Sequence, residues 1–316
     1  MSRVTLVVPC FNEAQSLEAL FERLDRSIAP LSDHSFEIVC VNDGSSDDTL
    51  DRLQRMQQRD GRIVIIDLSR NFGKEAALSA GIREATGDAV IPIDADLQDP
   101  PELIGRMVEL WKQGHEVVLA KRGDRSTDTA LKRMTSKAFY KIHNAVSDVS
   151  IPEDVGDFRL MDRSAVDALN SLPESRRFMK GLFAWVGFRT VTVEYRREMR
   201  TAGPSRFNAW RLWNLALEGV TSFSLFPLRI WSYVGATVAI VSLSYCAWIV
   251  TRTLLFGVDV PGYASLIVAV LFLGGLQLLG IGIIGEYLGR TYLESKRRPP
   301  YVVRKVLRAA GESRPR

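Results

Sequence analysis

The chain has 316 residues, 46% of them hydrophobic, which exceeds an average single domain and is enough for a sizeable core. Its formal net charge is +4, but Asp and Glu fill the first half while Lys and Arg crowd the end, an asymmetry that fits a membrane surface and speaks against nucleic acid. Cys10, Cys40 and Cys246 sit in apolar runs without CxxC spacing and read as packing residues, and the scattered His34, His115 and His143 exclude a histidine metal site.

The first segment, Val4-Thr5-Leu6-Val7-Val8, is strand-like and has no basic region and apolar core ahead of it, so the front of the protein is expected to stay in the cytoplasm. Strands are expected at 5–9, 37–41, 63–68, 89–93 and 116–120. Helical spacing falls between them: Leu17, Leu20, Phe21 and Leu24 behind Ser16 as N-cap, then Leu50, Leu53 and Met56, then Ala76, Ala77, Ala80 and Ile82. This alternation predicts an α/β fold, a mainly parallel sheet flanked by helices.

After Asp124 the regularity fades, with two further strands expected at 158–161 and 190–195 and a helix over 177–186. From 205 to 226 the run Arg206-Phe207-Asn208-Ala209-Trp210-Arg211-Leu212-Trp213 suits a helix lying in a lipid interface, the alternative being a core helix of a soluble domain. Two long uncharged stretches, 230–250 and 264–284, are each long enough to cross a hydrocarbon layer about 30 Å thick, giving transmembrane helices at about 230–251 and 264–286. The linker between them holds only Arg252 and Asp259, whereas the tail is rich in Arg and Lys, so the tail is expected in the cytoplasm and the N-terminal domain on the same side. Gly274, Gly275, Gly280, Gly282 and Gly285 offer small-residue faces for helix packing within the chain or in a homo-oligomer, or are ordinary membrane glycines. The expected organisation is a catalytic domain at 1–204, interfacial helices at 205–229, two transmembrane helices within 230–288 and a basic tail at 289–316.

In open α/β sheets ligands collect beyond the carboxyl ends of the strands. Three such ends are polar: Pro9-Cys10-Phe11-Asn12-Glu13, Asn42-Asp43-Gly44-Ser45-Ser46-Asp47-Asp48-Thr49, and Asp94-Ala95-Asp96-Leu97-Gln98-Asp99. The second reads either as a capping turn or, through Asp43, as an acceptor for the base or ribose of a nucleotide. In the third, carboxylates two apart can converge on Mg²⁺ or Mn²⁺, which takes one or two carboxylates plus substrate phosphates and neutralises a departing diphosphate. Neither GxGxxG after the first strand nor GxxxxGK[ST] is present, so dinucleotide and P-loop readings lack their phosphate loops.

With Asn71-Phe72-Gly73-Lys74, Gly156-Asp157-Phe158-Arg159-Leu160, residues 178–188 and residues 202–207, these motifs resemble the family 2 glycosyltransferases of GT-A fold. The resemblance covers nearly the whole chain. It points to the dolichyl-phosphate mannose synthase-like branch, nearest the bacterial bactoprenol (undecaprenyl phosphate) glucosyltransferases. It implies a UDP-sugar donor, a polyprenyl phosphate acceptor, the lipid bilayer as a partner and inverting transfer of one hexose, glucose, for cell-envelope glycan modification. By it Pro9, Asn12, Glu13, Asp43, Lys74, Asp94, Ala95 and Asp96 bind the nucleotide sugar. Asp94, Asp96 and Gln98 hold the Mg²⁺ or Mn²⁺, and Asp157 is the catalytic carboxylate. Two anionic substrates repel, so cations are needed at the acceptor phosphate. Candidates are Arg122, Arg125, Arg133 and Ser136, then Lys180 and Arg206, any of which alone also reads as part of a solvated basic face. Substrate rivals are an aminoarabinose-type or mannosyl transferase. The alternatives of another kind are a processive polysaccharide synthase, whose QxxRW motif and further spans are lacking, and a non-catalytic nucleotide-sugar-binding membrane protein.

Overall fold

The computed structural model describes residues 1–123, 152, 154–174, 177–195, 226–257 and 262–308. Eight strands form one sheet: β1 (Ser2–Cys10), β2 (His34–Asn42), β3 (Ile63–Leu68), β4 (Ala89–Pro92), β5 (Val117–Arg122), β6 (Val155–Asp162), β7 (Thr190–Tyr195) and β8 (Val303–Leu307), in the order β7-β5-β6-β4-β1-β2-β3-β8. The pairs β1/β2, β1/β4, β2/β3 and β5/β7 are parallel; β6 runs antiparallel to both β4 and β5, and β8 antiparallel to β3. The sheet is thus GT-A-like and mixed, with the expected parallel set at its centre.

The central strands read as unbroken apolar runs because both faces are covered. On one face lie α1 (Leu17–Ile28), α2 (Thr49–Arg59) and α4 (Leu103–Lys112), which bury Leu20, Leu24, Leu53 and Met107 against Leu6, Ile38, Ile65 and Phe158. On the other lie α3 (Lys74–Glu84), α5 (Arg163–Ser171) and α6 (Met179–Trp185), which bury Ala77, Val166 and Leu182 against Val7, Val41 and Met161. Helix α3 lies close to the sheet: a Cβ at Gly81 would collide with the Val7 side chain. That approach carries the N-terminus of α3 over the ends of β1 and β4.

β1 and β2 start three residues earlier than hydropathy suggests because polar side chains there are paired inside the sheet. Glu37, 1% exposed, takes an ion pair from Arg3 at 3.1 Å and hydrogen bonds from the Thr5 hydroxyl at 2.6 Å and the Thr86 amide at 3.0 Å. Ser16 precedes α1 as expected but does not cap it: its hydroxyl donates to the Glu13 carbonyl and carboxylate instead. Cys10 and Cys40 are buried free thiols; the side chain of Cys246 lies outside the described set.

Two long helices follow, α7 (Phe226–Phe256) and α8 (Tyr263–Ser295). Within them Ile230–Phe256 and Phe272–Ser295 have mean hydropathies of 1.8 and 1.4 yet are 0% and 6% buried. A core helix of such composition would be covered; here Leu243, Trp248, Leu254, Phe272, Leu278 and Ile281 are all exposed among the described residues, and both helices are long and apolar enough to cross a membrane. The two pack at Gly280, where any Cβ would collide with the Trp231 indole. The interfacial stretch expected at 205–226 lies outside the described residues, apart from its last position. The basic tail differs from expectation: residues Val303–Leu307 return to the catalytic domain as β8 and cover the β3 edge, which would otherwise present unpaired backbone groups.

Candidate active site

The parallel strands end on one rim, and three loops meet there. Asn12, in left-handed conformation at φ 57°, donates its amide to the Ser45 hydroxyl at 3.0 Å and accepts from the Ser46 amide at 2.8 Å. The Glu13 amide donates to the Thr49 hydroxyl at 2.9 Å, and Asp47 accepts from the Thr49 hydroxyl at 2.5 Å. Pro9, opposite Val41 at the end of β1, is half-buried beside them. Much of the polar character of the second loop is therefore spent on joining β1 to β2, the capping-turn reading of its sequence.

Asp43 is buried, and both its oxygens accept backbone amides of the next loop: Phe72 at 2.7 Å and Gly73 at 2.9 Å. Burial pushes its carboxyl up, against those two hydrogen bonds and the charge of Arg70. Asp43 thus fixes the turn that begins α3, where Gly73 at φ 99° adopts a conformation suited to glycine. Gly44, at φ 63°, packs where a Cβ would stand 2.5 Å from the backbone of Arg70 and Asn71.

The next residue, Lys74, is the hub of the site. Its ammonium lies 2.7 Å from Asp94 and 2.7 Å from Asp157. The sheet explains the meeting: β6 is antiparallel to β4, with Ala89 opposite Asp162 and Val90 opposite Met161, and continuing that register past the paired residues sets Asp94 opposite Asp157. Burial disfavours the ammonium, but Asp157 and Asp94 outweigh it and hold Lys74 well above its ordinary value. Burial likewise opposes the Asp157 carboxylate, and Lys74, Lys180 and Arg159 together hold it well below the usual range. Asp157 Oδ2 binds Lys74, while Oδ1 is buried with no hydrogen-bond partner among the described residues.

Beyond β4 the side chains alternate: Ala95, Leu97 and Asp99 are buried, while Asp94, Asp96 and Gln98 are half-exposed. Leu97 at φ 61° turns the chain, and the Gln98 amide donates to Asp96 at 3.2 Å. Ala95 is buried as a whole residue, 3% exposed. No group of three or more His, Cys, Asp or Glu suited to a metal ion occurs among the described residues. Asp94, Asp96 and Gln98 carry hard oxygen donors of the type that Mg²⁺ or Mn²⁺ takes together with phosphates, and both oxygens of Asp94 are engaged by Lys74.

Of the acceptor-phosphate candidates, Arg122 ends β5 beside the start of β6 that carries Asp157: its Nη2 stands 3.7 Å from where a Gly156 Cβ would be, and it bonds the Tyr195 hydroxyl. Lys180, in the first turn of α6, lines a cavity of about 220 Å³ with Arg159, Phe183, Phe188, Leu119 and Val155. Arg125, Arg133, Ser136 and Arg206 lie outside the described residues.

Four neighbours carried no assigned role in the sequence. Glu75 accepts the Met179 amide at 3.1 Å, and burial, with the charge of Asp157, raises its carboxyl to about 7. Asp99 is buried and accepts the Tyr195 hydroxyl at 2.6 Å. Arg159 is buried, donates to the Gly156 carbonyl at 2.6 Å and stacks over Phe183 at 3.9 Å, and burial lowers it to about 10. The positions of Asp99 and Arg159 inside the quoted motifs were the only available signal; Glu75 and Tyr195 had none.

Residues 5–169 match the description "Glycosyl transferase family 2", and residues 226–291 match "GtrB C-terminal hairpin". A prophage bactoprenol glucosyl transferase homolog of Escherichia coli is 52% identical over 304 residues, covering 96% of this chain and 99% of that protein. The bactoprenol glucosyl transferase of Shigella phage SfV is 53% identical over 302 residues, covering 96% and 98%. An uncharacterized glycosyltransferase of Synechocystis is 53% identical over 300 residues, covering 95% and 94%. The rim that gathers Asp94 and Asp157 around Lys74 falls inside the first matched stretch, and α7 with all but the last turn of α8 inside the second, and the chain belongs to the family 2 glycosyltransferases that carry a GtrB-type C-terminal hairpin.

Proposed function

We propose that the protein transfers one glucose from UDP-glucose to a polyprenyl phosphate, undecaprenyl phosphate, at the cytoplasmic face of the membrane, with inversion at the anomeric carbon. The observation that carries the reading is the Lys74 bridge, which draws the carboxylate of the metal-type motif and that of Asp157 at the start of β6 into one cluster. The names of the bactoprenol relatives support the acceptor and the sugar. Exposed α7 and α8 support a lipid setting. With β8 back in the catalytic sheet after α8, a hairpin crossing the membrane twice keeps both ends on one side.

In this reading Pro9, Asn12, Glu13, Asp43 and Ala95 frame the nucleotide, and Asp94, Asp96 and Gln98 would hold Mg²⁺ or Mn²⁺ at the diphosphate. The metal, when bound, supplies charge neutralisation to the leaving UDP. Lys74 adds a cation from the protein. The acceptor phosphate oxygen bonds to the anomeric carbon as the bond to the UDP oxygen breaks and UDP departs with the electron pair. An α-linked donor then yields a β-linked product. A phosphate monoester is largely dianionic at neutral pH, so its oxygen needs no base. A carboxylate held as far down as Asp157 is also a weak base. Asp157 therefore orients the reactants and stabilises positive charge on the sugar carbon. Arg122, Lys180 and buried Arg159 offset the acceptor's charge, and the Phe183 and Phe188 walls suit the first carbons of its chain.

The test is Asp157→Asn in the full chain. Transfer is expected to fall below detection while UDP binding by calorimetry persists; a variant that still transfers at the wild-type rate refutes the assignment.

A further inference from the structure

The segment after the membrane hairpin does more than cover an edge. Arg304 falls at the irregularity in the β3/β8 ladder, between Lys305, opposite Asp67, and Val303, opposite Leu68. Its guanidinium reaches two places: Nη1 pairs with Asp67 at 3.2 Å and Nη2 donates to the Ser69 carbonyl at 2.7 Å. The Ser69 amide in turn donates to the Val302 carbonyl at 2.9 Å. Asp67 has a side chain only 6% exposed, so without Arg304 it would be a buried carboxylate deprived of its cation.

From Asp67 a chain of hydrogen bonds crosses the ends of three strands. The Asn42 amide group donates to Asp67 at 2.7 Å, the Ser45 amide donates to Asn42 at 3.2 Å, and the Asn12 amide donates to the Ser45 hydroxyl at 3.0 Å. Ser69, the other anchor of Arg304, opens the loop whose Phe72 and Gly73 amides hold Asp43 and which ends at Lys74. The loops assigned to the nucleotide are thus tied to Asp67 or Ser69, that of Asn42 directly and that of Asn12 through Ser45 and Asn42, with the donor motif at Asp94 reached through Lys74. A planar guanidinium can hold both anchors at once, which a single ammonium cannot do in the same geometry.

We infer that Arg304 is a positioning residue of the donor pocket: the strand that returns from the membrane hairpin sets the geometry of the nucleotide-binding rim, making donor affinity depend on the post-membrane segment. The inference rests on reading this rim as the UDP-sugar site. It places no new group on the reacting atoms, and it predicts that the effect appears in donor binding and not in the acceptor.

The experiment uses the full chain in detergent, comparing wild type with Arg304→Met, Arg304→Lys and, as a control on the same strand, Lys305→Met. UDP affinity is read by calorimetry, and KM for UDP-glucose and for polyprenyl phosphate by transfer rates. Arg304→Met is expected to weaken UDP and raise the donor KM by roughly tenfold, about 1.4 kcal/mol, with the acceptor KM unchanged. Arg304→Lys, which keeps the charge on Asp67 and loses the second arm, should fall between, and Lys305→Met should match wild type. Unchanged UDP affinity in Arg304→Met, or equal loss in Lys305→Met, would overturn the inference while leaving the donor site standing. Wild type that binds no UDP would overturn both.

Discussion

Replacing Lys74 by Met removes the ammonium while keeping most of the side-chain stem. Two carboxylates, each 2.7 Å from that nitrogen, are then left facing one another across the rim. Breaking a fully buried pair costs about 3–5 kcal/mol and an exposed pair about 0–1 kcal/mol. Here the Asp157 side chain is 15% exposed and Lys74 45%, which sets the cost between those limits, at about 1.4–2.8 kcal/mol. Expressed in the barrier this is roughly a 10- to 100-fold loss of kcat/KM. Asp157 loses the strongest of the cations that hold its carboxyl down, so its pKa climbs and the acid limb of the kcat/KM profile moves to higher pH. The assay is the initial rate of lipid-linked product from UDP-glucose across pH 5 to 8, with UDP affinity measured in parallel and Lys74→Arg as the charge-conserving partner. A loss under about threefold with an unmoved acid limb would show that the bridge is an incidental ion pair.

Two further outcomes follow from the same geometry. The folded-state pKa of Glu75 is raised to about 7, so the folded protein holds a proton that the unfolded chain has released, and stability carried by that proton is lost as pH rises from about 4.5 through 7. Glu75→Gln should therefore melt above wild type at pH 8, by roughly 1–3 kcal/mol, and converge with it near pH 5; a variant no more stable at pH 8 contradicts the burial of this carboxyl. Gly44→Ala puts a Cβ against the backbone of Arg70 and Asn71 at a positive φ, so it should cost more than about 1 kcal/mol in thermal stability and weaken UDP binding, whereas an unchanged melting curve would mean that the two loops do not meet there.

The sequence carried the parallel core plainly, because strands covered on both faces are unbroken runs such as Val64-Ile65-Ile66, and β3 and β7 have the bounds read from it. It also carried the three polar strand ends. What it could not carry were contacts made by strand order. Asp157 meets Asp94 because β6 enters antiparallel beside β4, and nothing local to either residue says so. Lys74, expected at the nucleotide, is held by those two carboxylates, and Asp43 spends both oxygens on the turn before it. β8 was hidden for another reason: Val303-Arg304-Lys305-Val306 reads as part of a basic run, and its strand character comes from a partner more than two hundred residues away, as the Arg304–Asp67 contact shows. Glu75 and Arg159 look like ordinary helix and strand charges until α6 is laid over them.

The central claim is that this rim joins a UDP-sugar to a lipid phosphate. Membranes containing the full chain, given radiolabelled UDP-glucose and other labelled UDP-sugars, would be extracted with organic solvent and the lipid fraction counted and analysed for anomeric configuration. The account predicts label from UDP-glucose in a β-linked polyprenyl phosphate sugar, absent with Asp157→Asn. Label in no lipid from any UDP-sugar, or an α-linked product, would contradict it.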